Sequence, residues 1–308
     1  MPKLNILPDI KDIKHFLSAG TDKSFNAESN RIRENIIANM FNLNINDDPE
    51  YFNDKTYGNN WLQITDKFTA CVSSLCEEQF DNIKIKHMGG MSFNYDFLLS
   101  YYKNETIVKK VKLEFKHNNS DVSNLVQFLE LYDKDCKYVY DICETSYAEY
   151  YYDNYLNKYL QTDQELSIIV KPDKETYLKN VYDINYKHSF FSSLYNRKTN
   201  NTKEKRAVAN ESVKNYIKEF HSSFKFQKVA DKVKESQTNK VFLLWDCVNF
   251  HTQVVDSNLL VIDSIKKVDN LYFDVNCLNF NYNIRIRLNW GNNNGLANPR
   301  WKFSFINK

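Results

Sequence analysis

Residues 108–118, VKKVKLEFKHN, combine the pattern of a buried strand with a row of charged side chains. Successive side chains on a strand point to opposite faces of the sheet, so Val111, Leu113 and Phe115 share one face. The other face carries Lys110, Lys112, Glu114 and Lys116. A solvated surface explains such a row, because lysines protect sheet edges and an exposed Glu–Lys pair adds little stability. A site for a metal ion and phosphate explains it as well.

The composition predicts a folded protein without a strong overall charge. The chain has 308 residues, enough for one large domain or two modest ones, and 42% hydrophobic residues, enough for a core. A net charge of +2 creates no global field toward nucleic acid, so any basic binding surface must be local. The richness in Asn, Lys and Ile indicates an AT-rich genome, such as that of a large DNA virus or a parasite.

The cysteines and the lengths of the apolar segments indicate a reducing compartment. Six cysteines are scattered without a CxxC pair or a zinc-ligand spacing, so neither a disulfide framework nor a structural zinc is expected. No apolar run has the length of a signal peptide or a membrane span. We expect a soluble, intracellular protein with no membrane partner, located in the host cytoplasm, nucleus or virion if its source is a virus.

The periodicity of apolar residues predicts an α/β core in the first half of the chain. Helices are predicted at 24–43, 61–80 and 121–132, and strands at 82–88, 93–102, 107–117 and 137–142. From residue 61 onward the order is helix, strand, strand, strand, helix, strand. We expect residues 1–143 to form this core, 144–235 a mostly helical region with a basic loop, and 236–308 a β-rich region packed on the core.

Two carboxylates and a lysine are expected to meet on the hairpin formed by the second and third predicted strands. Asp96 lies on the first strand of this hairpin, among apolar residues where a carboxylate is costly unless it has a purpose. Glu114 and Lys116 share a face of the other strand because they are two residues apart. If pairing brings Asp96 beside them, the two carboxylates suit Mg²⁺ or Mn²⁺, and the lysine can stabilise a negative transition state.

An Asp followed by Glu-x-Lys, on the second and third strands of this element order, resembles the PD-(D/E)xK nuclease superfamily. Restriction endonucleases, Holliday junction resolvases and phage-type exonucleases belong to it. The resemblance covers residues 24–142, and the motif itself is short. The proline that precedes the first acid in many members is missing before Asp96.

The resemblance implies a restriction-endonuclease-like α/β (α+β) fold and a set of site residues. Asp96 and Glu114 would bind the metal ion with the carbonyl of Phe115, and Lys116 would assist the attacking water. Gln127 stands where many members carry a catalytic Gln on the helix after the motif. Many members also place a further acid on a helix before the sheet, and the candidates are Glu28, Glu34 and Asp66.

Basic residues that contact phosphate are expected at three places along the chain. They are Lys110 and Lys112 on the strand, Arg197 and Lys198 with Lys203, Lys205 and Arg206 in the basic loop, and Arg285, Arg287 and Lys302 on a C-terminal hairpin. The hairpin's cationic residues face away from an apolar row that contains Trp290, Trp301 and Phe303. A solvated loop and an ordinary sheet edge are the alternative interpretations of the last two places.

The sequence therefore predicts a magnesium-dependent endonuclease that hydrolyses DNA, and RNA is the alternative substrate. Cutting both strands of a duplex usually takes two active sites, so a homodimer is expected. The alternative is a protein of another class, a non-catalytic nucleic-acid-binding or virion structural protein that uses the same α/β core as a scaffold.

Overall fold

The chain divides into two compact units, each with its own sheet. The computed structural model describes residues 7–17, 23–42, 45, 48–88, 95–125, 129–131, 141–183, 185–196, 202–269, 271–290 and 299–308. The first unit comprises Met1–Leu125 with Gln237–Ser257, and the second comprises Val126–Ser236 with Asn258–Lys308. Helices and strands occur in both units, which confirms the mixed α and β class. The division differs from the expected boundaries, because the predicted C-terminal region contributes to both units.

The sheet of the first unit is a meander of three strands extended by a parallel strand. Its members are β1 (Asn82–His87), β2 (Phe97–Lys103), β3 (Thr106–His117), β5 (Lys240–Trp245) and β6 (Phe250–Val254), in that order across the sheet. The first three are antiparallel neighbours, β5 runs parallel to β3, and β6 runs antiparallel to β5. The predicted strands at 82–88 and 107–117 are thus confirmed.

The local sequence explains how the meander forms. Asn104 and Glu105 join β2 to β3 with positive φ angles of 48° and 64°. Two positive φ angles are the geometry of a type I′ turn, whose twist matches that of the flanking strands. The helices of this unit are α1 (Lys14–Leu17), α2 (Lys23–Asn39), α3 (Pro49–Phe52) and α4 (Gly58–Ser73). Apolar side chains of α2 and α4 at helical spacing pack in one core with the alternate residues of the strands; they include Ile36, Met40, Trp61, Ile64, Phe68 and Val72.

The segment after β3 differs from the prediction. The expected helix at 121–132 is replaced by a single 3-10 turn, Val122–Asn124, and by β4 (Leu129–Leu131) in the second sheet. The turn ends because Leu125 has an extended backbone, with φ −68° and ψ 125°. Residues 137–140 of the expected strand at 137–142 lie outside the described residues, and β5 pairs with β3 on the side away from β2.

The second unit combines helices with an antiparallel sheet. Its helices are α5 (Tyr147–Asn154), α6 (Leu156–Leu160), α7 (Gln164–Ser167), α8 (Lys174–Tyr182), α9 (Ser189–Asn196), α10 (Lys203–Phe220) and α11 (Phe226–Gln237), which ends on the first residue of the other unit's segment. Its sheet has the order β4, β10 (Pro299–Asn307), β9 (Tyr282–Trp290), β8 (Tyr272–Leu278) and β7 (Val261–Lys267). The predicted helical region and the C-terminal hairpin, now β9 and β10, are confirmed. None of the helices in the described ranges is long and apolar enough to cross a membrane.

Candidate active site

Strand pairing places Asp96 beside Glu114 on the neighbouring strand. Asp96 lies one residue before β2 rather than on it, and its backbone N–H donates to the carbonyl of Leu113 over 2.9 Å. The backbone N–H of Phe115 donates to Asp96 Oδ2 over 2.8 Å. These two bonds hold the Asp96 carboxyl group against the segment of β3 that carries the Glu-x-Lys pair.

Two lysines hold the Glu114 carboxylate. Lys116, two residues along β3, forms an ion pair with Glu114 Oε1. Lys240, the first residue of β5, forms a second one, with 3.1 Å between its Nζ and Glu114 Oε2. The Lys240 side chain is 2% exposed and that of Glu114 11%, so this is a buried cluster. The sequence prediction missed Lys240, although a lysine at the head of the apolar run KVFLLW is a signal of a buried partner.

The two carboxyl groups of the cluster titrate in different ranges. Burial, reinforced by the negative charge of Glu114, raises the pKa of Asp96 to about 7, although Lys116 opposes the shift. Burial also acts to raise the pKa of Glu114, but the charges of Lys116 and Lys240 outweigh it and hold that pKa below its usual value. Glu114 is therefore ionised at neutral pH, while Asp96 exchanges a proton there.

The two lysines also differ. Burial acts to lower the pKa of Lys116, but the charges of Glu114 and Asp96 outweigh it and the pKa rises. For Lys240 burial prevails over the attraction of Glu114, and its pKa falls. Lys116 is the more exposed of the two, with 29% of its side chain accessible. Of the pair, Lys116 is thus the charged group that a substrate can approach.

A third acid faces this cluster from a helix. The charge of Glu34, on α2, raises the pKa of both Asp96 and Lys116. Its Oε2 lies 3.0 Å from Nε2 of His87 at the end of β1. Of the three helical acids that the sequence offered, Glu34 is thus coupled to the cluster, whereas Glu28 and Asp66 are exposed.

The donor set of the cluster suits a hard divalent cation with few protein ligands. No group of three or more His, Cys, Asp or Glu in the described ranges is arranged to hold a metal ion. Magnesium, however, commonly takes one or two carboxylates and completes its shell with water and substrate phosphate. Asp96 accepts the Phe115 N–H through Oδ2, so Oδ1 is its oxygen that can face a cation. At Glu114, a cation would share the oxygen that Lys116 now contacts.

The basic residues expected to contact phosphate in the first two places differ in exposure and in the elements that carry them. Lys110 is exposed and Lys112 is half-buried. Gln127, Arg197 and Lys198 lie outside the described residues. The other three residues of the expected basic loop, Lys203, Lys205 and Arg206, lie instead in the first turn of α10. Lys205 is buried there with its Nζ 2.9 Å from Asp163 Oδ2, so a mobile clamp is wrong for this lysine.

The C-terminal hairpin has the predicted faces, but its cations are not all free to bind. Ile284, Ile286, Leu288, Trp290, Trp301, Phe303 and Phe305 form the buried row. Arg287 lies opposite Lys302 on the outer face, and Arg285 lies opposite Asp274 of β8. Arg285 donates to both oxygens of Asp274, from Nε over 2.7 Å and from Nη2 over 2.8 Å. Its charge is therefore balanced within the sheet.

Comparison of the chain with protein-family models, with curated proteins and with solved structures gives no match. Function is therefore inferred from the geometry of the cluster and from general chemistry. The cluster to be explained is the set Asp96, Glu114, Lys116 and Lys240, with Glu34 beside it.

Proposed function

We propose that the protein is a magnesium- or manganese-dependent nuclease of the PD-(D/E)xK type that hydrolyses phosphodiester bonds of DNA. The observation that carries the proposal is the convergence of Asp96, Glu114 and Lys116 at the start of β2 and the end of β3. The strand order supports it, because three antiparallel strands are followed in the sheet by a parallel fourth strand, β5. The long segment between β3 and β5 is then an insertion in the core.

Each residue of the cluster has a role in this reaction. Bound magnesium neutralises phosphate charge and lowers the pKa of a water that it binds. Asp96 and Glu114 would hold the ion, and binding would drive the last proton off Asp96 because a cation favours the ionised carboxylate. Lys116 would then turn from Glu114 toward the attacking water or the phosphate oxygens. Lys240 would stay on the remaining Glu114 oxygen and fix its orientation.

A second candidate function follows from the contacts of Glu114. Both of its oxygens are already engaged by lysines, as in a self-contained structural ion cluster. A non-catalytic nucleic-acid-binding or virion structural protein would need nothing more from these residues. Asp96 argues against this candidate, because a buried carboxyl group with a pKa near 7 gains no stability from its ionised form.

Nicking of supercoiled plasmid separates the two candidates. In Mg²⁺ or Mn²⁺ we expect the wild type to cut, and Asp96→Asn, Glu114→Gln and Lys116→Ala each to lose on the order of a hundredfold or more in rate. Lys116→Arg should not restore the rate, since a planar guanidinium cannot replace a compact ammonium. Asp66→Asn, which changes an exposed acid of α4, is the matched control and should cut like the wild type.

Two results would overturn the nuclease. One is undiminished cutting in EDTA or by the Asp96 and Glu114 variants. The other is a folded wild type that binds nucleic acid but cuts neither DNA nor RNA with any of the metals Mg²⁺, Mn²⁺, Co²⁺ or Zn²⁺. Calcium serves as a further control, because we expect it to support binding without cutting.

A further inference from the structure

Four lysines form a grid on the face of the first sheet that also carries Glu114 and Lys116. The strand register places Lys84, Ser100 and Lys110 in one row across β1, β2 and β3. The next row contains Lys86, Leu98 and Lys112. One step further along β3 on the same face is Glu114, about 7 Å from Lys112 at strand spacing. The grid therefore leads directly to the candidate active site.

The lysines of this grid are not balanced by acids. Lys84, Lys86 and Lys110 are exposed, and Lys112 is half-buried. None of the four forms an ion pair with another residue in the described parts of the chain. Protection of a sheet edge accounts for the lysines on β1 and for Lys110, because β5 pairs with β3 only from Lys112 to His117. Lys112 lies between β2 and β5, so it needs another explanation.

Two of the grid lysines each lie over a tyrosine ring. The Nζ of Lys84 is 5.1 Å from the ring centroid of Tyr102, and that of Lys112 is 5.7 Å from the ring centroid of Tyr95. Both tyrosines are half-buried, so part of each side chain is accessible. Lysines that follow a phosphate backbone, interleaved with aromatic rings on which bases stack, are the composition of surfaces that bind single-stranded nucleic acid.

The dimensions of the face favour a single strand over the groove of a duplex. Neighbouring strands are about 4.8 Å apart, so the axes of β1 and β3 are separated by roughly 10 Å before side chains are added. The major groove of DNA is only about 12 Å wide and admits a helix or a two-stranded ribbon. A three-stranded face is too broad to enter it, whereas a single strand can lie flat across the rows.

We propose that this lysine grid binds single-stranded nucleic acid and leads it to the cluster of Asp96 and Glu114. The residues of the binding face are Lys84, Lys86, Lys110 and Lys112 with Tyr95 and Tyr102. The delivery of the strand to a cleavage site rests on the proposed nuclease function. The binding itself does not, and it is measured separately.

Fluorescence anisotropy with a labelled oligothymidine tests the binding in full-length protein carrying Glu114→Gln, so that no cutting occurs. Changing the four grid lysines to Gln should weaken binding at least tenfold at moderate salt. It should also flatten the plot of log affinity against log salt concentration by about 0.7 for each lost phosphate contact. The matched control changes four exposed lysines from other elements to Gln: Lys55, Lys214, Lys218 and Lys228. This control should keep the affinity and the slope within error.

A second variant keeps the test decisive if the fourfold change harms folding. Tyr102→Leu retains an apolar side chain and all four lysines, so it should weaken oligothymidine binding about fivefold or more while the salt slope stays the same. Circular dichroism and thermal melting show that each variant is folded. An unlabelled duplex of the same length should compete less well than the single strand.

The proposal is overturned if the fourfold lysine variant, folded, keeps the affinity and salt slope of the parent. It is also overturned if the duplex, or vesicles of phosphatidylserine, bind to the same lysines more tightly than the single strand does. If the fourfold lysine variant loses oligothymidine binding and the wild type never cuts, the binding proposal stands and the nuclease proposal is refuted. If the wild type cuts and the fourfold lysine variant still binds oligothymidine normally, only the binding proposal is refuted.

Discussion

At the scale of single residues, Asp96 carries the clearest consequence. Its pKa rises from 3.8 to about 7 on folding, so the folded state holds a proton that the unfolded state releases between these values. The unfolded state then binds fewer protons, and stability must fall as pH rises through this window. In EDTA at pH 8, the free energy of unfolding of Asp96→Asn should therefore exceed that of the wild type by on the order of 1–3 kcal/mol, as measured by urea unfolding. This advantage should shrink toward pH 4.

The control for this prediction is Asp66→Asn on the exposed side of α4, whose stability relative to the wild type should change little with pH. An Asp96→Asn difference that stays constant from pH 4 to pH 8 would show that the carboxyl group titrates normally in the folded protein. Added Mg²⁺ should raise the stability of the wild type at pH 8 and leave the variant unchanged, since ligand binding stabilises only the form that binds it.

Residue patterns located the cluster but not all of its members. Alternation along a strand places Glu114 and Lys116 on one face, and a local hairpin brings Asp96 to them, so three members were accessible from the sequence. Lys240 was not, because it reaches Glu114 through a pairing between strands distant in sequence. Local pattern alone does not identify the partner of such a strand. For the same reason the sequence did not distinguish Glu34 from Glu28 and Asp66 as the acid near the cluster, because the packing of the helices decides which of them lies there.

At the scale of elements, the largest difference from prediction is the fourth strand of the first sheet. The segment KVFLLW is buried along its whole length, as expected of an interior strand flanked on both sides. Its sequence predicts a strand, yet not the sheet to which it belongs. The sequence instead predicts the nearer segment 137–142 as the last strand of the core, in the order helix, strand, strand, strand, helix, strand. The segment Val126–Ser236 of the second unit separates β3 from β5, and so long a connection leaves no local signal of the pairing.

The C-terminal hairpin yields a prediction that separates structural from binding roles. Because Arg285 is held by Asp274 in a bidentate pair, Arg285→Gln should lower the free energy of unfolding by about 0.5–1 kcal/mol. Asp274→Asn added to it should cost little more, which a double-mutant cycle by urea unfolding would measure. Arg287→Gln is the control, since this residue lies over the Tyr272 ring at 5.8 Å. Nucleic-acid affinity should be unchanged by Arg285→Gln. A tenfold loss of this affinity at constant stability would show that Arg285 contacts nucleic acid.

At the scale of the whole molecule, the two units have separate cores, and the candidate active site belongs to the first. Leu243 on β5 and Leu288 on β9 are 0% and 1% exposed, one in each core. Each change to Ala should cost about 2–5 kcal/mol, because the lost part of the buried side chain leaves a cavity. Calorimetry should then show Leu243→Ala lowering one unfolding transition and Leu288→Ala lowering another, since each core unfolds as its own cooperative unit.

The matched control for both variants is Leu62→Ala on α4, where the leucine is 45% exposed and its loss should shift either transition little. Thermal loss of plasmid nicking should follow the transition that Leu243→Ala lowers, because β5 carries Lys240 and borders the strand of Glu114. A single transition lowered equally by both core variants would mean that the chain unfolds as one cooperative body. In that case Leu288→Ala would inactivate the protein at the same temperature as Leu243→Ala, although Leu288 lies in the second unit.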